Sequence, residues 1–160
     1  MPYDSAMIIN ILQVGGIACL LFTAVIVTVG LSGIADAIRD EHGNFRKEFN
    51  LKTVFGLLLM LFLILGMQIW GNLRCMQIRE EPLGLMPLWI NGFSIFMVLH
   101  LYDLIVLDYL IIVRWHPRFL KLPDTDYYTN LRPHFIGFIR GIPFGILLSL
   151  LASLVTICAW

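Results

Sequence analysis

Three ionisable side chains, His100, Asp103 and Asp108, interrupt an otherwise apolar run, Asn91–Arg118 (NGFSIFMVLHLYDLIVLDYLIIVRWHPR). A carboxylate beside an imidazole fixes the histidine tautomer and raises its basicity. His100 and Asp103, three residues apart on a helix, are therefore the candidate acid/base pair. Asp108 follows roughly 7–8 Å further along the axis, at 1.5 Å per residue. Taken at 100° per residue, His100, Asp103, Leu107 and Arg114 share a sector of about 60°, with Asp108 on a neighbouring face. His100, Asp103 and Asp108, with His116 and His134, are ligand types that suit Zn²⁺ or Fe²⁺. An H-x2-D spacing is weak evidence, however, and no HExxH or CxxC pattern joins it. No metal is assigned; His100, Asp103, His116 and His134 remain weak candidates. No cofactor is indicated either, and without a recognised catalytic motif the chain can be read as enzyme or non-enzyme.

Cations follow this run. Arg114, Arg118, Lys121, Arg132 and Arg140 could meet a phosphate or carboxylate head group, guanidinium forks giving bidentate contacts. Arg114, Arg118, His134 and Arg140 are the expected ligand-binding set, for an anionic amphiphile such as a membrane lipid. Arg140 stands about six residues inside the last apolar run, and Asp108 six inside the third. Antiparallel helices would bring them to one depth, so an Asp108–Arg140 ion pair is expected as a structural tie. Asp103 is expected to be the functional carboxyl, because an Asp at mid-membrane costs about 2.5–3.5 kcal/mol and persists only when paired, protonated or hydrated.

The elements that must hold these groups are membrane spans. Of 160 residues, 59% are hydrophobic and 14% charged, and mean hydropathy is +0.83. Four runs exceed the roughly 18 apolar residues a span needs: about 7–31, 53–72, 88–113 and 135–157. The expected fold is all-α, an antiparallel four-helix transmembrane bundle forming a single domain over residues 1–160. The tail MPYDSAM has no basic residue, so the first span is expected to be retained rather than cleaved. Cys19, Cys75 and Cys158 are too scattered for a disulfide or metal framework and read as apolar filler. Net charge is zero, which gives no reason to expect nucleic acid as a partner.

Orientation follows from the basic residues. Nine of the eleven lie in or beside connections 32–52 and 114–134: Arg39, Arg46, Lys47, Lys52, Arg114, Arg118, Lys121, Arg132 and Arg140. By the positive-inside rule these connections are cytoplasmic and both termini outside. Asp36–Lys52 balances its charges and reads as a solvated hairpin. Gln68, Trp70 and Asn72 suit an interfacial belt, and Leu73–Pro87 a folded-back turn. Residues 115–134 carry three prolines among Trp115, Phe119, Leu120, Leu122, Tyr127 and Tyr128. That connection is expected to be stiff, either a lid over the bundle mouth or an interfacial loop.

Small residues mark close helix contacts. Gly15, Cys19 and Thr23 form one stripe; Gly137, Gly141, Gly145, Ser149 and Ser153 form a longer ridge. The ridge can receive a helix of the same chain, a second copy or a larger complex, so Gly137, Gly141 and Gly145 are the expected oligomer contacts. Pro143 removes a backbone hydrogen bond from the last span and should kink it.

The run Asp103-Leu-Ile-Val-Leu-Asp108-Tyr109, then Pro123-Asp124-Thr125-Asp126 and His134-Phe-Ile-Gly137-Phe, resembles a family of small bacterial four-span membrane proteins of unassigned function. Its pattern is a D-L-x-x-x-D-[WY] helix, a P-G-T-E-like turn and a histidine opening the last span. Asp124 and Asp126 stand where that pattern has glycine and glutamate. The resemblance covers about the C-terminal half and implies a bacterial inner-membrane protein. It supplies no activity, cofactor or catalytic residue. The resulting expectation is a membrane-embedded binding module with a polar His/Asp/Arg interior near the cytoplasmic leaflet, for an anionic amphiphile or as an accessory subunit. A small oligomeric proton-coupled transporter or channel, and a lipid-modifying or metal-dependent enzyme, are the alternatives.

Overall fold

A computed structural model describes residues 4–32, 40, 51–117, 120 and 125–160. Every element among them is helical: α1 (Ser5–Leu31), α2 (Leu51–Arg79), α3 (Leu85–Tyr102), a π-helical continuation of α3 (Asp103–Trp115), the single turn α4 (Asp126–Thr129) and α5 (Leu131–Ala159). The four long units, counting α3 with its continuation as one, are long and apolar enough to cross a membrane. Their outer surface carries Leu12, Leu20, Phe62 and Leu147, each more than 60% exposed. Water would not tolerate such a coat around a bundle this small, whereas hydrocarbon matches it. The expected hairpin Asp36–Lys52 lies almost wholly outside the described residues.

α1 packs on α2 and α3, and α5 packs on the same two helices. Small residues set these approaches. A Cβ on Gly15 of α1 would lie 2.8 Å from Val98 Cγ1, and one on Gly71 of α2 would collide with Ile95. On α5, Gly141 receives the His100 ring and Gly145 the Phe96 ring. Two of the three expected oligomer glycines are thus occupied by α3 of the same chain. Only Gly137 has open space beside it. α5 continues unbroken through Pro143.

In the half of the bundle that holds the chain termini, the core is polar. Asn10, Asn72, Asn91 and Gln68 are all 0–1% exposed. Asn10 Nδ2 donates to Gly71 O (2.9 Å) and Asn91 Oδ1 (3.2 Å); Asn91 Nδ2 donates to Asn72 Oδ1 (2.9 Å). Asn72 Nδ2 reaches Ser153 Oγ at 3.4 Å, and Arg74 donates to Asn10 Oδ1 at 3.2 Å. All four spans are therefore tied at one level. This corrects the interfacial reading of Gln68 and Asn72; of that trio only Trp70 is exposed. The reason is length. No helix breaker occurs before Pro82, so α2 runs on to Arg79 and places Asn72 two turns inside. The folded-back turn shrinks to Glu80–Gly84, with Glu80 at φ 54 ending the helix.

The same end is closed by Asp4. Its Oδ1 accepts the Met7 N–H (2.9 Å) as the N-cap of α1, and its Oδ2 accepts from the Arg79 guanidinium. The Arg79 hydrogen bond, then the Met7 amide, hold the Asp4 carboxyl below its ordinary 3.8. A depressed carboxylate stabilises the fold above its unfolded pKa and loses that contribution as pH falls through the folded value. Hydrogen-exchange protection of the Met7 amide should be full above about pH 3.8 and decline below it. In Asp4→Ala that protection should be weak at every pH.

Candidate functional site

Asp103 begins the π-helical segment, in which backbone hydrogen bonds close over five residues instead of four. At its far end the His116 N–H bonds Ile111 O at 2.9 Å, five residues back, and His116 takes a left-handed conformation, φ 46. Five-residue closure brings residues i and i+5 to within about 50° of one another around the axis. Asp103 and Asp108 are such a pair. At α-helical spacing they would diverge by about 140°; here they share a face and lie within each other's electrostatic reach.

That face meets His134 in the first turn of α5. His134 Nδ1 is 2.9 Å from Asp108 Oδ1, and its side chain is only 4% exposed, against 20% for Asp108. Its Nε2 lies 2.8 Å from Tyr127 O, on the α4 turn. The Tyr127 ring sits 4.7 Å from the imidazole, and Tyr128 meets Tyr127 edge-on at 4.9 Å. Asn130 caps α5 by accepting the Arg132 N–H at 3.0 Å, which fixes the turn that carries His134. Asp103 also lies within electrostatic reach of His134.

Proton positions follow from these partners. A carbonyl oxygen only accepts, so Nε2 must carry hydrogen. Facing lone pairs on Nδ1 and Oδ1 would repel, so a second proton lies between them. The pair is either imidazolium with carboxylate or imidazole with carboxylic acid, and both forms hold that proton. Asp103 adds a second carboxyl to the site.

The expected Asp108–Arg140 tie does not form. Arg140 is exposed, and the partner of Asp108 is His134. Six α-helical residues separate His134 from Arg140, about 240° of turn, so the two point to different sides of α5. Nor does His100 pair with Asp103. Its Nε2 donates to Phe138 O (2.9 Å), and its ring lies between Phe96 and Phe138, at 4.9 and 4.5 Å, above the Gly141 notch. Phe138 is one residue from Ile139, whose carbonyl would have bonded the amide that Pro143 lacks. His100 is thus an interhelical tie between α3 and α5.

The other expected site residues are dispersed. Arg114 and Arg132 are exposed near the rim, and Arg118 lies outside the described residues. His116 contacts Ile112 O at 3.2 Å. Among the described residues no three His, Cys, Asp or Glu side chains converge to hold a metal, so the weak metal candidates His100, Asp103, His116 and His134 do not form one centre. Of the connection after the π segment, only Leu120 and residues 125–130 are described beyond Pro117. Leu120 reaches Gly30 of α1, and Tyr127 covers His134.

Sequence reasoning missed two features. It set His134 among anion ligands, because the span limits read from hydropathy begin the last run at residue 135 and level Asp108 with Arg140 instead. It also missed the amide network, for which buried Asn10, Asn72 and Asn91 near span ends were the only signal. Comparison with protein-family models, curated proteins and solved structures finds no match to this chain.

The geometry predicts which partner matters. Asp108→Asn or His134→Gln should each lower stability in detergent by about 1–3 kcal/mol, the usual range for a buried hydrogen bond to a charged group. Arg140→Gln should stay within about 0.5 kcal/mol, as at other exposed sites. Combining Arg140→Gln with Asp108→Asn should restore nothing, as read from thermal unfolding.

Proposed function

We propose that this chain is a multi-pass membrane module that binds and carries a proton, with Asp103, Asp108 and His134 as its working site. The observation that supports this reading is the His134–Asp108 contact, whose geometry requires a shared proton, next to a second carboxyl on the same π-helical face. Intramembrane ionisable groups are expensive, and proton relays are among the uses that justify them. Two carboxyl groups and one imidazole suit a proton better than an anion. Of the arginines expected to line an anion pocket, Arg114 and Arg140 are exposed. In this reading Asp108 and His134 hold the site together, while Asp103 gains and loses the mobile proton. The basic connections face the cytoplasm, following the distribution of Lys and Arg, and the cell membrane is a bacterial inner membrane, following the resemblance.

The test is proton flux into vesicles that carry the purified protein and an enclosed pH-sensitive dye. Asp103→Asn should reduce flux at least tenfold with the fold intact, and Asp103→Glu should retain part of it. Flux no faster than in protein-free vesicles, or equal in Asp103→Asn, sinks the proposal.

A second reading concerns the rim. Arg114, Arg132 and Arg140 are exposed with Trp115 near the same end, an arrangement suited to anionic head groups of the adjoining leaflet. Replacing Arg114 and Arg132 together by Gln should lower the anionic lipid retained through purification, measured by mass spectrometry. An unchanged lipid complement would count against it.

A further inference from the structure

The buried amides of the terminal half are satisfied except one. Gln68 is 1% exposed, and neither its Oε1 nor its Nε2 has a hydrogen-bond partner. Leaving a buried amide unpaired costs about 1–3 kcal/mol, and native proteins rarely accept that without a bound molecule to satisfy it. Gln68 lies one turn from Asn72 on the same face of α2. Opposite both stands Gly92 of α3, where the missing side chain leaves room. A Cβ at Gly92 would be 3.4 Å from Gln68 Oε1, 3.5 Å from Asn72 Nδ2 and 3.7 Å from Asn72 Oδ1. One small volume is therefore flanked by an unused acceptor and by a donor whose only other bond, to Ser153 Oγ, is long at 3.4 Å.

We propose that Gln68, Asn72 and Gly92 form a binding site for water inside the terminal half of the bundle. A water there donates to Gln68 Oε1 and accepts from Asn72 Nδ2, within the two to four polar partners that buried waters use. The lining chemistry selects water over an ion. It consists of neutral amides, and the Arg74 guanidinium, bonded into the same network through Asn10, would repel a cation. This hydrated site is separate from the Asp103–Asp108–His134 cluster: Phe96 and Leu99, both buried, lie between the two levels on α3. It stands whether or not the protein moves protons.

The experiment is water-to-protein magnetisation transfer by solid-state NMR on protein in lipid bilayers, with glutamine side-chain amides labelled with ¹⁵N. The chain has three glutamines, Gln13, Gln68 and Gln77, so Gln68→Met assigns the buried signal by its loss. Rapid transfer from water to the Gln68 amide is expected. It should drop severalfold in Gly92→Ala, whose methyl takes the water's place at ordinary contact distances. Gln68→Met should also leave the melting temperature unchanged or lower. Absence of transfer at Gln68, or transfer that persists in Gly92→Ala, overturns the site. So does a clear rise in melting temperature for Gln68→Met, because relieving a dry, unpaired amide would stabilise the fold.

Discussion

Inside a hydrocarbon layer a polar group has no solvent to fall back on, so each one must find its partner within the protein. That constraint organises this bundle more than apolar packing does. With lipid on one side and Leu, Ile and Phe on the other, helices gain little from burying apolar surface against each other. Association then depends on close approach and on hydrogen bonds. Both are visible here: Gly71, Gly141 and Gly145 each receive a ring or branched side chain from α3, and Asn10, Asn72, Asn91 and Ser153 join all four spans. Thr23 of α1 gives its only proton to Cys19 O (2.8 Å), so the Tyr102 hydroxyl at 2.9 Å donates to it and ties α3 to α1.

Most of the architecture was legible because span length and hydropathy are long-range averages that single residues scarcely disturb. The four apolar runs follow from such averages. Pairings were less legible, since they depend on angles. A residue count from the span ends puts Asp108 level with Arg140, yet Asp108 meets His134, six residues nearer the start of α5, and about 240° of turn separates those two positions. His100 and Asp103 are well spaced for an α-helix, yet the Gly141 notch and the Phe138 carbonyl draw the imidazole to α5 instead.

The π-helical segment was the least legible feature and has the largest consequence. Nothing in DLIVLDYLIIVRW announces a change of helical closure. Leu, Ile and Val are as compatible with one as with the other, and only Leu107 of the segment is buried. The consequence of the wider closure lies in the placement of the two carboxyls. Asp103 and Asp108 are brought to one face, opposite a histidine whose second nitrogen is already committed to Tyr127. π-helical turns recur at functional sites for this kind of reason: one residue of slippage re-aims every side chain beyond it.

The two ends of the bundle therefore obey one constraint with different chemistry. Towards the termini, the buried groups are amides and hydroxyls, which do not change charge across the accessible pH range and make a fixed tie. Towards the basic connections, they are two carboxyls and an imidazole, each able to exchange a proton. The first half of α3 supplies Asn91, Gly92, Ile95, Phe96 and Leu99 to the core, whereas its continuation supplies Leu107 alone. The more deeply buried half of that span is thus the amide end, and the two carboxyls sit on its less buried continuation. A proton gained or lost at Asp103 would act on the segment whose wide closure carries both Asp103 and Asp108, and of which Leu107 alone is buried.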